Sequence, residues 1–108
     1  MKYILDKGKI VSIEKDDGKP VKAGFMRGLR NAQKTSYWFL LNAGTGMNWC
    51  SGVEVELNDI ERSVFNWCYN WYARYESGRN PETPIQTFDD MKYGLLELNP
   101  DAYMKLLD

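Results

Sequence analysis

The sequence predicts an α+β fold: a small antiparallel sheet from the N-terminal half covered by two or three C-terminal helices. Three observations carry this expectation. Short, strand-like segments separated by Gly, Asn and Asp turn signals fill residues 1–57. From Ile60 to Tyr75 half of the side chains are large and apolar or aromatic, and they recur with helical spacing. Strands first and helices last is the order of an α+β domain with helices laid on a sheet. At 108 residues the chain is the size of one domain, 1–108, strand-rich over 1–57 and helical over 58–108.

The elements follow in chain order. Residues 2–15 alternate in short apolar bursts, with Asp6-Lys7-Gly8 as a first turn and Lys9–Glu14 as a strand. Asp16-Asp17-Gly18-Lys19-Pro20 is a hairpin-type turn, because Asp-Gly tolerates positive φ. Lys19–Lys22 would begin a returning strand, with Pro20 at an edge or entry position. From Lys22 to Lys34 the pattern weakens, and Gly24 and Gly28 interrupt it, which predicts a loop or a short, poorly propagating helix. Thr35–Leu41 is rich in aromatic residues and reads as the best strand, buried on both faces. Asn42–Gly46 is a turn, Met47–Cys50 a partner strand, and Val53–Leu57 alternates strictly, as a half-buried strand does.

Asn58 with Glu61 three residues later is an Asn form of the capping box, and it opens a long helix that stops near Glu76, before Gly78 and Pro81. Glu82–Gln86 stays extended. Thr87 offers an N-cap with Asp90 three residues on, and Phe88, Met91, Leu95 and Leu98 describe an amphipathic helix that Gly94 weakens. Asn99-Pro100 caps and opens a last short helix over residues 101–107.

Composition excludes more than it assigns. With no histidine, Ser-His-Asp and Cys-His nucleophile activation, histidine metal sites and histidine acid–base chemistry are all ruled out. The two cysteines, Cys50 and Cys68, lack metal or redox spacing and read as buried free thiols. Ala43–Gly46 lacks the Gly-Lys-Ser/Thr ending of a phosphate loop, and the neighbouring carboxylates Asp16-Asp17 and Asp89-Asp90 point apart on a strand or a helix. No cofactor and no metal are expected. The N-terminal apolar run is too short for a signal peptide, and no segment approaches the ~20 apolar residues of a membrane span, so a cytoplasmic protein is expected.

Charge divides unevenly. Residues 1–53 hold nine Lys or Arg against four acids, a net +5, and residues 54–108 hold five against eleven, a net −6. Such halves can attract each other, or present a basic or acidic face to a partner.

Two surfaces follow as candidates. On a wheel at about 100° per residue, Ile60, Val64, Trp67, Trp71 and Tyr75 form one stripe of the long helix, while Phe65, Tyr69 and Tyr72 lie around from it. The second stripe is either further core beneath the C-terminal helices or an interface for a protein partner or a second copy of the chain. The basic stretch around Lys22, Arg27, Arg30 and Lys34 is either a solvated loop or an anion-binding surface for an acidic protein, a nucleic acid, or a nucleotide or other phosphorylated small molecule. These readings add up to a small non-enzymatic binding protein, an inhibitor or adaptor. Its size and missing motifs match the profile of accessory proteins carried by phages and other mobile elements.

Overall fold

The computed structural model describes residues 2–40 and 57–107. It is an α+β fold: a two-stranded antiparallel sheet of β1 (Lys2–Asp6) and β2 (Lys9–Glu14) precedes four helices, α1 (Ala23–Ala32), α2 (Asp59–Glu76), α3 (Ile85–Leu98) and α4 (Pro100–Leu107).

The hairpin closes at Lys7 and Gly8, both at positive φ (52° and 78°), as a two-residue turn matched to strand twist requires. Ile10 and Ile13 are both buried, although three residues apart they would fall on opposite faces of a regular strand. The register shows why: Ile4 faces Ser12 and Leu5 faces Ile10, so Val11 is an extra, bulged residue that turns Ile10 back to the core face. The Gln33 amide then takes both backbone groups of Ile10, accepting from its N–H at 2.8 Å and donating to its carbonyl at 3.0 Å, which fastens the hairpin to the end of α1. The turn at residues 15–19 forms as the sequence predicts, with Gly18 at φ 80°. The returning strand shrinks to one bridge between Glu14 and Pro20.

Residues 23–32 form a full helix, not a loop. Phe25, Leu29 and Ala32 bury one stripe, and the glycines that weaken helix propensity permit a close crossing instead. A Cβ on Gly28 would lie 2.5 Å from Asp90 Cβ, and one on Gly94 would lie 2.1 Å from the Phe25 ring. Each glycine costs about 1 kcal/mol of propensity. The return is Phe25 packed flat on the backbone of α3 and two helices locked at short range.

The strand expected at Thr35–Leu41 is also absent over its described residues, 35–40. The chain turns there, and its rings are used one at a time. Tyr37 stacks on Trp67 at 5.7 Å and donates its hydroxyl to the Pro81 carbonyl. Trp67 Nε1 donates to Thr35 Oγ1 at 2.9 Å, and that hydroxyl donates to the Ala32 carbonyl at 2.7 Å. A run of aromatic residues satisfies a strand pattern, but here its burial comes from plugging α2 rather than from a ladder. The turn at Asn42–Gly46 and the strand at Met47–Cys50 lie outside the described residues, as does all of the Val53–Leu57 strand except Leu57.

α2 is capped at both ends. Asn58 Oδ1 accepts from the Glu61 N–H at 2.8 Å while Glu61 Oε1 accepts from the Asn58 N–H at 3.0 Å. At the exit Arg79 N–H reaches the Arg74 carbonyl and Gly78 N–H the Tyr75 carbonyl, with Gly78 at φ 76°. α3 begins two residues before the expected cap: Pro84 is its N-cap, and Thr87 stands inside the first turn. Asn99 Oδ1 accepts from the Ala102 N–H at 3.2 Å, so the last helix is capped as predicted. The core gathers Leu29, Ile60, Val64, Trp67, Trp71, Met91 and Leu95 between α1, α2 and α3.

Candidate functional site

Along α2 the surroundings change halfway. Its N-terminal half is buried on every side at residues 63–68. Phe65, placed by the sequence on an interaction stripe, is 3% exposed and belongs to the core. Past Cys68 the cover recedes: Tyr69 is 55% exposed, Tyr72 50% and Tyr75 58%. Tyr75 falls on the core stripe of the wheel, but it stands exposed on the last turn of α2.

The exposed rings are organised. Phe88 of α3 stacks on Trp71 at 4.6 Å and on Tyr72 at 6.3 Å. Tyr75 stacks on Trp71 at 5.3 Å, and Tyr72 and Tyr75 meet at 6.5 Å with a tilt. Trp71 anchors the cluster, since it is buried and its Nε1 donates to Thr83 Oγ1 at 2.9 Å. Lys92 places its ammonium 5.3 Å from the centre of the Phe88 ring, and exposed Ile85 sits one turn before Phe88 on α3. The Tyr72 phenol is pushed above its ordinary value, first by its hydrogen bond to Glu76. The outcome is a face of fixed rings, apolar in the middle, with polar tips.

Sequence reasoning missed Tyr75, Phe88 and Ile85 in this face. The spacing of 85, 88 and 92 on α3 is visible in the sequence, but its meeting with α2 is a tertiary fact.

Of the basic residues Arg27 and Arg30 lie on α1 while Lys22 and Lys34 flank it, and they are dispersed. Arg27 is clamped on Asp90 through Nε at 3.2 Å and Nη2 at 3.1 Å, and Asp90 also accepts from Gln86 at 3.1 Å. Lys22 is the N-cap of α1 and donates its backbone N–H to Glu97 at 3.4 Å. Arg30 is exposed in the last turn of α1. Lys34 lies just past it and lines a cleft of about 310 Å³ with Asn31, Thr35, Glu82, Thr83, Pro84 and Thr87. A second cleft, about 380 Å³, lies at the other end of α1 against Phe25, Tyr93 and Glu97.

Burial pushes the Cys68 thiol far up, so it stays protonated and inert. Cys50 lies outside the described residues. No cluster of three metal-ligating side chains occurs among the described residues, and no described helix is long and apolar enough to cross a membrane. Comparison with protein-family models, with curated proteins and with solved structures finds no match to this chain.

Proposed function

We propose that this chain is a non-enzymatic binding protein, an inhibitor or adaptor, that docks on another protein through the ring face of Tyr69, Tyr72, Tyr75 and Phe88. One observation carries the reading: Tyr72 and Tyr75, each at least half exposed, are held in register by stacking on Phe88 and on a buried tryptophan, and exposed Tyr69 stands one turn before Tyr72 on the same helix. An exposed ring costs solubility and adds little to the stability of its own domain, whereas fixed rings lose little entropy when a partner covers them. Tyrosine anchors of this kind are enriched among the residues that dominate interface energies. The partner surface that fits is an apolar segment whose polar rim meets the phenol hydroxyls, Glu76 and Lys92.

The test places a photo-crosslinking phenylalanine at position 72, and as a control at exposed Met104, in the full chain expressed in its native host. A specific protein adduct from position 72, lost when Tyr69 and Tyr75 are changed to Ser in a domain that still melts cooperatively, is the expected result. Equal adducts from both positions, or capture of nucleic acid through Arg30 and Lys34 in place of protein, would overturn it.

A further inference from the structure

The hairpin has an open edge. β1 has β2 on one side and no strand among the described residues on the other. Along a strand the backbone groups of successive residues point alternately to the two sides, and the structure fixes which of them point outward. Ile10, opposite Leu5, donates its N–H to Gln33 Oε1, and its carbonyl accepts from Gln33 Nε2, both on the side of β2 away from β1. The carbonyl of Ile13, opposite Tyr3, accepts from the Val21 N–H on that same side. Both are therefore pairs without mutual hydrogen bonds, and the N–H and carbonyl of Tyr3 and of Leu5 face the open edge. None of these four groups has a partner among the described residues.

The edge is also left unprotected. β1 holds no proline, and the extra residue of the hairpin, Val11, lies in β2, so neither device that blunts a strand edge acts on β1. Ile4 is 59% exposed on the outer face of the strand. Leu5 is 46% exposed, although it faces buried Ile10 across the hairpin.

The order of side chains in β1 is an independent observation, and it names the occupant. Turned end for end about Ile4, Lys2-Tyr3-Ile4-Leu5-Asp6 sets Lys2 opposite Asp6, Tyr3 opposite Leu5 and Ile4 opposite itself. Positions 2, 4 and 6 share one face and 3 and 5 the other, so every such pair meets on the same side of the sheet. Lys2 and Asp6 are exposed and make no ion pair among the described residues.

We propose that the chain forms a two-fold dimer in which β1 pairs antiparallel with β1 of a second copy, centred on Ile4, to give one continuous sheet across both copies. The backbone alternation agrees with this register. Tyr3 and the partner's Leu5, which carry the outward groups, exchange their N–H and carbonyl bonds, as an isologous contact requires. Ile4 meets the partner's Ile4, and Lys2 the partner's Asp6, at the closely spaced positions where cross-strand side chains interact most. Parallel pairing would instead set Lys2 beside the partner's Lys2. A slip of two residues would set one charge against Ile4 and leave the other without an opposite. An extended segment of another protein would have to bring its own acid and base in this order, whereas a second copy supplies both. Five residues a side make an interface below the ~1,200 Å² of standard stable complexes, which predicts a dissociation constant on the order of 100 µM. The hairpin edge is separate from the ring face of α2, and either surface works without the other.

Sedimentation velocity of the full chain, from about 10 µM to about 1 mM, reads the association. The wild-type chain should pass from monomer to dimer across this range. Lys2→Asp alone, or Asp6→Lys alone, sets like charges opposite each other at both ends of the paired strands and should weaken the dimer about tenfold. An equimolar mixture of the two variants should recover the wild-type affinity, because each strand then meets its opposite charges on the other. Both positions are exposed, so the variants keep the fold. Amide hydrogen exchange should slow at Tyr3 and Leu5 as the wild-type concentration rises. A chain that stays monomeric throughout, single variants that associate as the wild type does, or a mixture no tighter than its components would overturn the pairing.

Discussion

The two halves of α2 carry similar rings and meet opposite fates. Trp67 is sealed, stacked on Tyr37 and hydrogen-bonded to Thr35, while Tyr72 and Tyr75, further along the same helix, are at least half exposed. The helix is continuous and capped at both ends, so the difference is not in α2 itself. It lies in how far the covering elements reach. Helical periodicity reports the direction a side chain takes, but burial also depends on the length of the neighbour on that side. Where the neighbour ends first, the same aromatic stripe passes from core to surface, and its cost passes from stability to function.

The largest effect expected from this contrast is at Trp67. Trp67→Ala removes the Tyr37 stack and the indole N–H donated to Thr35, and opens a cavity, at a cost of about 3–5 kcal/mol measured by denaturant unfolding. For a domain of this size that loss approaches global unfolding. Tyr72→Ala and Tyr75→Ala should each cost less, about 1 kcal/mol, because each residue is at least half exposed. Equal losses at the three positions would erase the distinction between the halves and make the ring face part of the core.

Next in size is the crossing that sets where α3 lies. Gly94→Ala drives a methyl into the Phe25 ring, which stands 2.1 Å from the ideal Cβ position. It should destabilise by about 1–3 kcal/mol even though alanine returns roughly 1 kcal/mol of helix propensity. A gain in stability would show that α1 and α3 are not locked, and that the reach of α3 over α2 is adjustable. The Cys68 thiol sharpens the same boundary chemically. It is the last buried residue before Tyr69, and burial holds it protonated, so a disulfide reagent should modify it only at the rate of unfolding. Prompt reaction in the folded protein would move the edge of the core by a turn.

Local signals account for what was legible in the sequence. Asn58 with Glu61, Asn99 with Pro100, and Lys7-Gly8 each announce an element boundary within four residues, and each appears in the structure as expected. Gly28 misled for the opposite reason: its local penalty is visible at once, and its use, the close approach of Asp90, lies more than sixty residues away, while a Cβ at Gly24 would meet only ordinary contacts. Tyr37 and Trp38 misled because an aromatic run has no period of its own with which to separate a strand from a plugged turn. The same limit governs the candidate sites. The wheel picked out Tyr69 and Tyr72 but also Phe65, since angle carries no information on cover. Lys34 stood out by its charge, while Thr87, read as a cap, became a lining residue because α3 is capped by Pro84, three residues earlier.

The smallest effect, and the finest division between the two regions, is in the titration of two tyrosines. Both phenols are raised above the ordinary value, Tyr37 first by burial and Tyr72 first by its hydrogen bond to Glu76. A raised phenol contributes stability that is complete below its unfolded value near pH ~10 and is lost as pH rises through its folded value. The causes separate the residues. Glu76→Gln replaces the carboxylate that accepts from Tyr72, so followed by ultraviolet difference absorbance Tyr72 should return toward the ordinary phenol range while Tyr37 stays protonated until the domain unfolds in alkali. The stability change at neutral pH should be close to nil, since Tyr72 is surface-exposed and solvent screens the pair. A Tyr72 titration unmoved by Glu76→Gln would mean that cover, and not the glutamate, holds the phenol. The ring face would then begin further along α2, leaving Tyr75 and Phe88 as its centre.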